Sequence, residues 1–276
     1  MRGRTTVPRQ FNSFVAVGDS FTEGMVDPRG DGTFRGWADR VAEVLAAQNP
    51  DFRYANLAVR GRLFKDIVNQ QVPAAISMRP ELISFVAGGN DALRPGFDLP
   101  KISRRLDWVV GRLSDTGATV LLLTAADVTF LLPARRVIEE RAEAYNDVIR
   151  QTAARHGAVL ADLWRDRGFV DRRMWGSDRL HLSPAGHRRA AGRVLAALGI
   201  PVDDALVADL PPATARPWLR ARSEDLRWAG RYFAPWVRRR LTGRSSGDGI
   251  TAKRPTLDRM TAASTEDLDG GATTQR

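Results

Sequence analysis

A chain of 276 residues with 43% hydrophobic content is long enough for one large globular domain plus an extension, or for two small domains. It contains no cysteine, which excludes disulfides, thiolate metal sites and a cysteine nucleophile, and its three histidines, His156, His181 and His187, argue against a multi-histidine metal centre. The formal net charge of +10 invites a nucleic-acid reading, but nine arginines against two acids fall between residues 213 and 244, so the preceding body is much closer to neutral.

The N-terminal "MRGRTTVPRQFNSFVAVGDS" is basic but lacks the longer apolar segment and small-residue cleavage site of a secretory signal, and no window approaches the roughly 18 apolar residues of a membrane span. A cytoplasmic protein is expected. The first predicted strand is "FVAVG" (14–18), followed by a loop rich in Gly, Asp and Pro as far as Gly36. Trp37, Val41, Val44 and Leu45 then recur at helical spacing. "RYANLAV" reads as a second strand, "KDIVNQQVPAAISM" as a helix and "ELISFVAGG" as a third strand ending in glycines.

Ile102, Leu106, Val109, Val110 and Leu113 mark one face of the next helix, which Gly117 closes as a C-cap. "ATVLLLTA" is a fourth strand, residues 134–157 form a long helix, and "AVLADLW" is a fifth strand. A final helix starts at Ser183 as N-cap, with Pro184 in its first turn. Strands without polar alternation, separated by helices of ten or more residues, predict a parallel sheet covered on both faces. The expected architecture is a three-layer α/β/α domain over residues 10–205 with a central parallel five-stranded sheet.

In such sheets functional groups gather beyond the carboxyl ends of the strands. Gly18-Asp19-Ser20 follows the first strand, "NLAVRG" brings Gly61 into a turn after the second, "GGND" with Asn90 follows the third, and "SDRLHLSPAGH" beyond the fifth sets Asp178 and His181 three apart. Ester hydrolysis needs a nucleophile, a base, a group that orients the base and donors for the oxyanion. Each role has a candidate here. "GDSFTEG", the Gly61 turn, "GGND" and "DRLH", in this order from residue 18 to 181, resemble the four sequence blocks of the SGNH hydrolases, also called the GDSL lipase/esterase family.

The resemblance implies a flavodoxin-like fold and a serine esterase without a metal or other cofactor. It makes Ser20 the nucleophile, His181 the general base and Asp178 the partner that fixes the imidazole. It assigns the oxyanion to the N–H groups of Ser20 and Gly61 and the side-chain amide of Asn90. An acyltransferase using the same site is the neighbouring reading. A binding protein that works through the basic extension is a third. Read alone, Ser20 is a helix N-cap, Asn90 a turn residue and Asp178 with His181 a loop ion pair.

Asp19 and Asp91 are expected to hold turns, His187 to pack or face solvent, and His156 to sit favourably at a helix C-terminus. Glu23, Asp27 and Asp31 lack the dense oxygen ligation of a calcium loop, so no metal is expected. The loops at 25–36, 92–99 and 126–133 are expected to wall the substrate pocket, with Met25, Phe97, Phe130 and Leu131 as apolar contacts. Arg60 and Arg62, beside Gly61, suggest an acidic or phosphorylated substrate, either a small molecule or a lipid or sugar ester.

Residues 206–244 form an extension in which Trp218, Trp228, Tyr232, Phe233 and Trp236 alternate with arginines, in the manner of short amphipathic helices. Packing of its aromatic face on the body is the leading reading. Docking of 213–244 on an anionic membrane surface or an acyl carrier comes next, and nucleic acid last. Residues 245–276, poor in large apolar groups, are expected to be disordered.

Overall fold

The computed structural model describes residues 10–132, 135–211, 228–233, 235 and 245–260. The elements run β1 (Ser13–Gly18), α1 (Ser20–Glu23), α2 (Gly36–Gln48), β2 (Arg53–Asn56) and α3 (Phe64–Asp66), which passes through a π-turn at Ile67–Gln71 into α4 (Val72–Ser77). There follow β3 (Leu82–Val86), α5 (Gly89–Ala92), α6 (Leu99–Ser114), β4 (Thr119–Leu123), α7 (Arg135–His156), β5 (Val159–Ala161), α8 (Pro184–Ala197), α9 (Asp204–Val207) and β6 (Arg254–Arg259). The sheet order is β5-β4-β3-β1-β2-β6.

Strands β1 to β5 pair in parallel, with Val15 opposite both Ala55 and Ile83. Because side chains alternate across a strand, Phe14 and Ala16 face one layer and Val15 and Val17 the other. The first layer is built on Trp37, Val41 and Leu45 of α2 with Ala190, Val194 and Leu195 of α8. The second is built on Leu106, Val109 and Leu113 of α6 with Tyr145, Ile149 and Ala153 of α7. This is the expected α/β/α arrangement, and β1 at its centre carries Ser20 to the carboxyl edge.

The C-terminal expectation needs correction. Residues 245–260 are ordered parts of the domain, and β6 adds a sixth strand antiparallel to β2. Met260 N–H donates to the Phe52 carbonyl at 2.8 Å, while Met260 and Leu257 supply apolar groups to opposite layers. Lys253 is partly buried, donates from Nζ to the carbonyls of Glu23, Phe34 and Arg35, and forms an ion pair with Asp39 at 2.9 Å. This segment thus closes the β2 edge and bolts it to the junction of α1 and α2. Composition misled here because an edge strand is held by backbone pairing and needs little apolar surface. Residues 261–276, and Trp218 and Trp236 of the extension, lie outside the described residues.

Candidate active site

Asp19, directly after β1, is the N-cap of α1: its Oδ1 accepts the Phe21 N–H at 3.1 Å. Ser20 is therefore released from capping duty. Its Oγ lies 2.9 Å from His181 Nε2, and His181 Nδ1 lies 2.6 Å from Asp178 Oδ2. The other carboxylate oxygen of Asp178 accepts the N–H groups of Leu180 and His181, both at 3.0 Å. One carboxylate thus folds the loop as an Asx-turn and aims the imidazole that the loop carries, which explains the three-residue spacing. Burial works against the Asp178 charge, but bonding to the His181 ring and to the two backbone N–H groups holds its pKa below the ordinary carboxylate value.

Arg179, between the two, adopts a left-handed φ of 58°, a conformation that a bulky side chain holds only under tertiary constraint. The extension supplies that constraint. Trp228 Nε1 donates to the Asp178 carbonyl at 2.8 Å, the Arg179 guanidinium stacks 4.8 Å from the Trp228 ring, and Tyr232 OH lies 2.9 Å from Ser177 Oγ. Residues 228–232 therefore brace the loop that bears His181.

Across the site, Gly61 takes φ +73°, and a Cβ there would fall 2.3 Å from Ser245 Oγ. The C-terminal segment packs on this turn, with Ser245 Oγ donating to the Gly61 carbonyl at 3.2 Å. Among the described residues, the backbone N–H groups of Ser20 and Gly61 have no protein acceptor. The Asn90 amide donates to Asp19 Oδ2 at 3.1 Å and to the Arg62 carbonyl at 3.0 Å. Burial pushes the Asp19 pKa up to about 6. The preceding Gly88, at φ +100°, lies against the Tyr145 ring, which a Cβ would meet at 2.5 Å.

A cavity of about 160 Å³ opens beside Ser20 and His181 and runs between the ends of β3 and β4 and helix α7. Val86, Leu123, Val128, Ile138, Ile149 and Trp175 give it apolar walls, and Asn146 is set among them. Of the expected pocket residues, Met25, Arg62, Phe97, Phe130 and Leu131 do not line it. Met25 lies on the α8 side, its carbonyl near His187 Nε2 at 3.1 Å, and Phe97 packs edge-on against Tyr145. Phe130 and Leu131 pack against the core. Arg62 contributes its carbonyl to Asn90, while Arg60 is taken up by Glu23, which also accepts the Arg60 N–H at 2.7 Å.

The remaining candidates are absorbed by structure. Asp27 binds Arg40 at 2.9 Å and accepts the Gly36 N–H, and Asp31 accepts both donors of Thr33. His187 is fully buried, takes the Trp37 N–H on Nδ1 at 3.2 Å, and burial lowers its pKa to about 4. His156 pairs with Asp107 at 3.0 Å. The sequence reading missed the α7 wall of the cavity. A signal existed: Ile138, Ala142, Tyr145 and Ile149 form a helical stripe that Asn146 interrupts.

Comparison with known proteins agrees with this fold. Residues 16–189 match the model of the GDSL-like lipase/acylhydrolase family. No curated protein sequence gives a significant match. Among solved structures, TesA is 26% identical with a TM-score of 0.56, covering 67% of this chain and 97% of its own. LAE5, an alpha/beta hydrolase enzyme from the metagenome of Lake Arreo, Spain, is 24% identical with a TM-score of 0.57, covering 68% and 95%. Axe2, an acetylxylan esterase from Geobacillus stearothermophilus, is 20% identical with a TM-score of 0.56, covering 70% and 96%. With the family pattern spanning the strand ends that carry Ser20, Asn90 and His181, the chain belongs to the GDSL-like lipase/acylhydrolase family and is an ester hydrolase.

Proposed function

We propose that this protein hydrolyses carboxylic esters of small acyl groups through an acyl-enzyme on Ser20. The reading is carried by one observation: the continuous chain from Ser20 Oγ through His181 to Asp178, with distances of 2.9 and 2.6 Å, at the mouth of an apolar cavity. His181 Nε2 takes the hydroxyl proton as Oγ attacks the carbonyl carbon. Asp178 holds the proton on Nδ1 and stabilises the imidazolium. The N–H groups of Ser20 and Gly61 and the Asn90 amide receive the oxyanion, for which Asn90 shifts one hydrogen bond from Asp19 or Arg62. Collapse expels the alcohol, protonated by His181, and a water activated by the same imidazole then releases the acid and restores Ser20.

The test is hydrolysis of short- and medium-chain p-nitrophenyl esters by the wild type and by Ser20→Ala. Turnover lost in the variant supports the reading. Where the wild type gives an acyl adduct on Ser20 by mass spectrometry but no turnover, the acyl group awaits a hydroxyl acceptor and the protein is a transferase. Neither turnover nor adduct would refute the reading.

A further inference from the structure

Helix α6 has two faces of opposite character. Ile102, Leu106, Val109, Val110 and Leu113 are buried in the core, whereas Lys101, Arg104, Arg105, Trp108 and Arg112 recur at helical spacing on the other face and are exposed. From Lys101 to Arg112 this stripe runs about 16 Å along the helix, at 1.5 Å per residue. Among the described residues none of its four cations has a carboxylate partner. The acids of this helix are placed elsewhere: Asp98 caps it by accepting the Lys101 N–H at 2.9 Å, Asp107 is held by Arg155 and His156 of α7, and Asp115 ends it as the C-cap residue. Trp108 is 54% exposed, the one exposed aromatic ring among the described residues, and the Arg112 guanidinium stacks 5.2 Å from its centroid.

We propose that the outer face of α6 docks this protein on an anionic phospholipid surface. Four unpaired cations on one face meet complementary charge in lipid phosphates and carboxylates, and each Lys or Arg held near such a surface strengthens binding by about fivefold. Trp108, set among them, has the amphipathic ring that settles at headgroup level. Geometry favours a lipid surface over nucleic acid. A helix that reads DNA enters the major groove, but α6 lies against α7 and the sheet, so only its convex outer side is free. A flat bilayer meets the whole stripe at once. The loop at 92–99, whose Leu93 lines the cavity beside Ser20, leads directly into α6, and α6 shares its layer with α7, which walls that cavity. Docking is independent of the chemistry at Ser20, since binding needs no turnover.

The experiment sediments the full chain with vesicles of two parts phosphatidylcholine to one part phosphatidylserine, and with vesicles of phosphatidylcholine alone. The wild type is expected to bind the first and not the second, and to be released as salt rises. Arg104→Gln with Arg105→Gln should weaken binding by about tenfold or more, and adding Trp108→Ala should weaken it again. Arg53→Gln with Arg167→Gln removes the same charge from exposed positions outside α6 and should leave the affinity near wild type. All these variants keep the arginines of residues 213–244, so a difference between the two pairs belongs to α6. No binding to the anionic vesicles, equal binding to the neutral ones, or an α6 pair that binds no more weakly than the control pair overturns the proposal. Preference for duplex DNA when DNA and anionic vesicles are offered together also overturns it, and makes the face a nucleic-acid surface.

Discussion

Two depressions on this molecule separate size from chemistry. An open cleft of about 630 Å³ is lined by Asp162, Arg165, Asp166, Arg189, Arg193 and Asp209, while the cavity beside Ser20 holds only about 160 Å³. In the cleft, opposite charges answer one another: Asp166 binds Arg189 Nε and Arg193 Nε, both at 2.7 Å. Burial alone would raise its pKa, but the two arginines outweigh it and hold Asp166 at about 2. At the small cavity, a hydroxyl faces an imidazole, and two backbone N–H groups have no protein acceptor among the described residues. Paired charge is structure, whereas groups held together with capacity to spare are equipment for chemistry.

The contrast is broken most directly at His181. His181→Ala is expected to lower kcat by about 10⁴-fold or more while the thermal midpoint stays near wild type, checked by ester hydrolysis beside a melting curve. Retained turnover would place the base elsewhere.

Lys253 extends the rule to the other end of the sheet. Lys253→Met leaves Asp39 and three carbonyls without their shared cation, and an expected loss of about 3–5 kcal/mol should appear as an earlier transition in urea. If that transition does not move, the bolt between β6 and the α1–α2 junction is not a stabilising element.

In the cleft, Asp166→Asn should cost about 1–2 kcal/mol and leave kcat/KM near wild type, the reverse of His181→Ala. The sign follows from its depressed pKa: the contribution is complete above pH about 4 and is lost as pH falls towards 2. Acid-unfolding curves of variant and wild type should accordingly converge at the lowest pH. Parallel curves would show that the arginines do not act on this carboxylate.

The smallest effect concerns the brace on the loop that bears His181. Trp228→Phe removes the donor to the Asp178 carbonyl but keeps an aromatic face for Arg179, and kcat should fall by about two- to tenfold with KM little changed. A change confined to KM would assign residues 228–232 to substrate access instead.

Much of the site was legible in the sequence because its parts are local. "GDS" supplies both the helix cap and the freed serine, "GGND" puts Gly88 against Tyr145 and Asn90 against Asp19, and Asp178 reaches His181 within one turn. The pocket was legible only in part: the loops at 92–99 and 126–133 do reach it, through Leu93, Ala126, Val128 and Thr129, but not through the side chains expected. Loops at 25–36, 92–99 and 126–133 follow strands just as the active loops do, and nothing in their spacing tells which one a helix will overhang. Arg60 beside Gly61 suggested an anionic substrate, yet its charge is spent on Glu23, which is 37 residues away in sequence.

The sequence by itself determined the parallel sheet, the strand ends that bear Ser20, Asn90, Asp178 and His181, and the family, since hydrophobic period and short motifs act over a few residues. Tertiary structure alone decided that a polar segment, residues 245–260, closes the β2 edge and covers Gly61, and that α7 walls the cavity beside Ser20. Those outcomes depend on pairing and packing between residues far apart in the chain, where backbone hydrogen bonds and buried volume carry the energy and leave little trace in local composition.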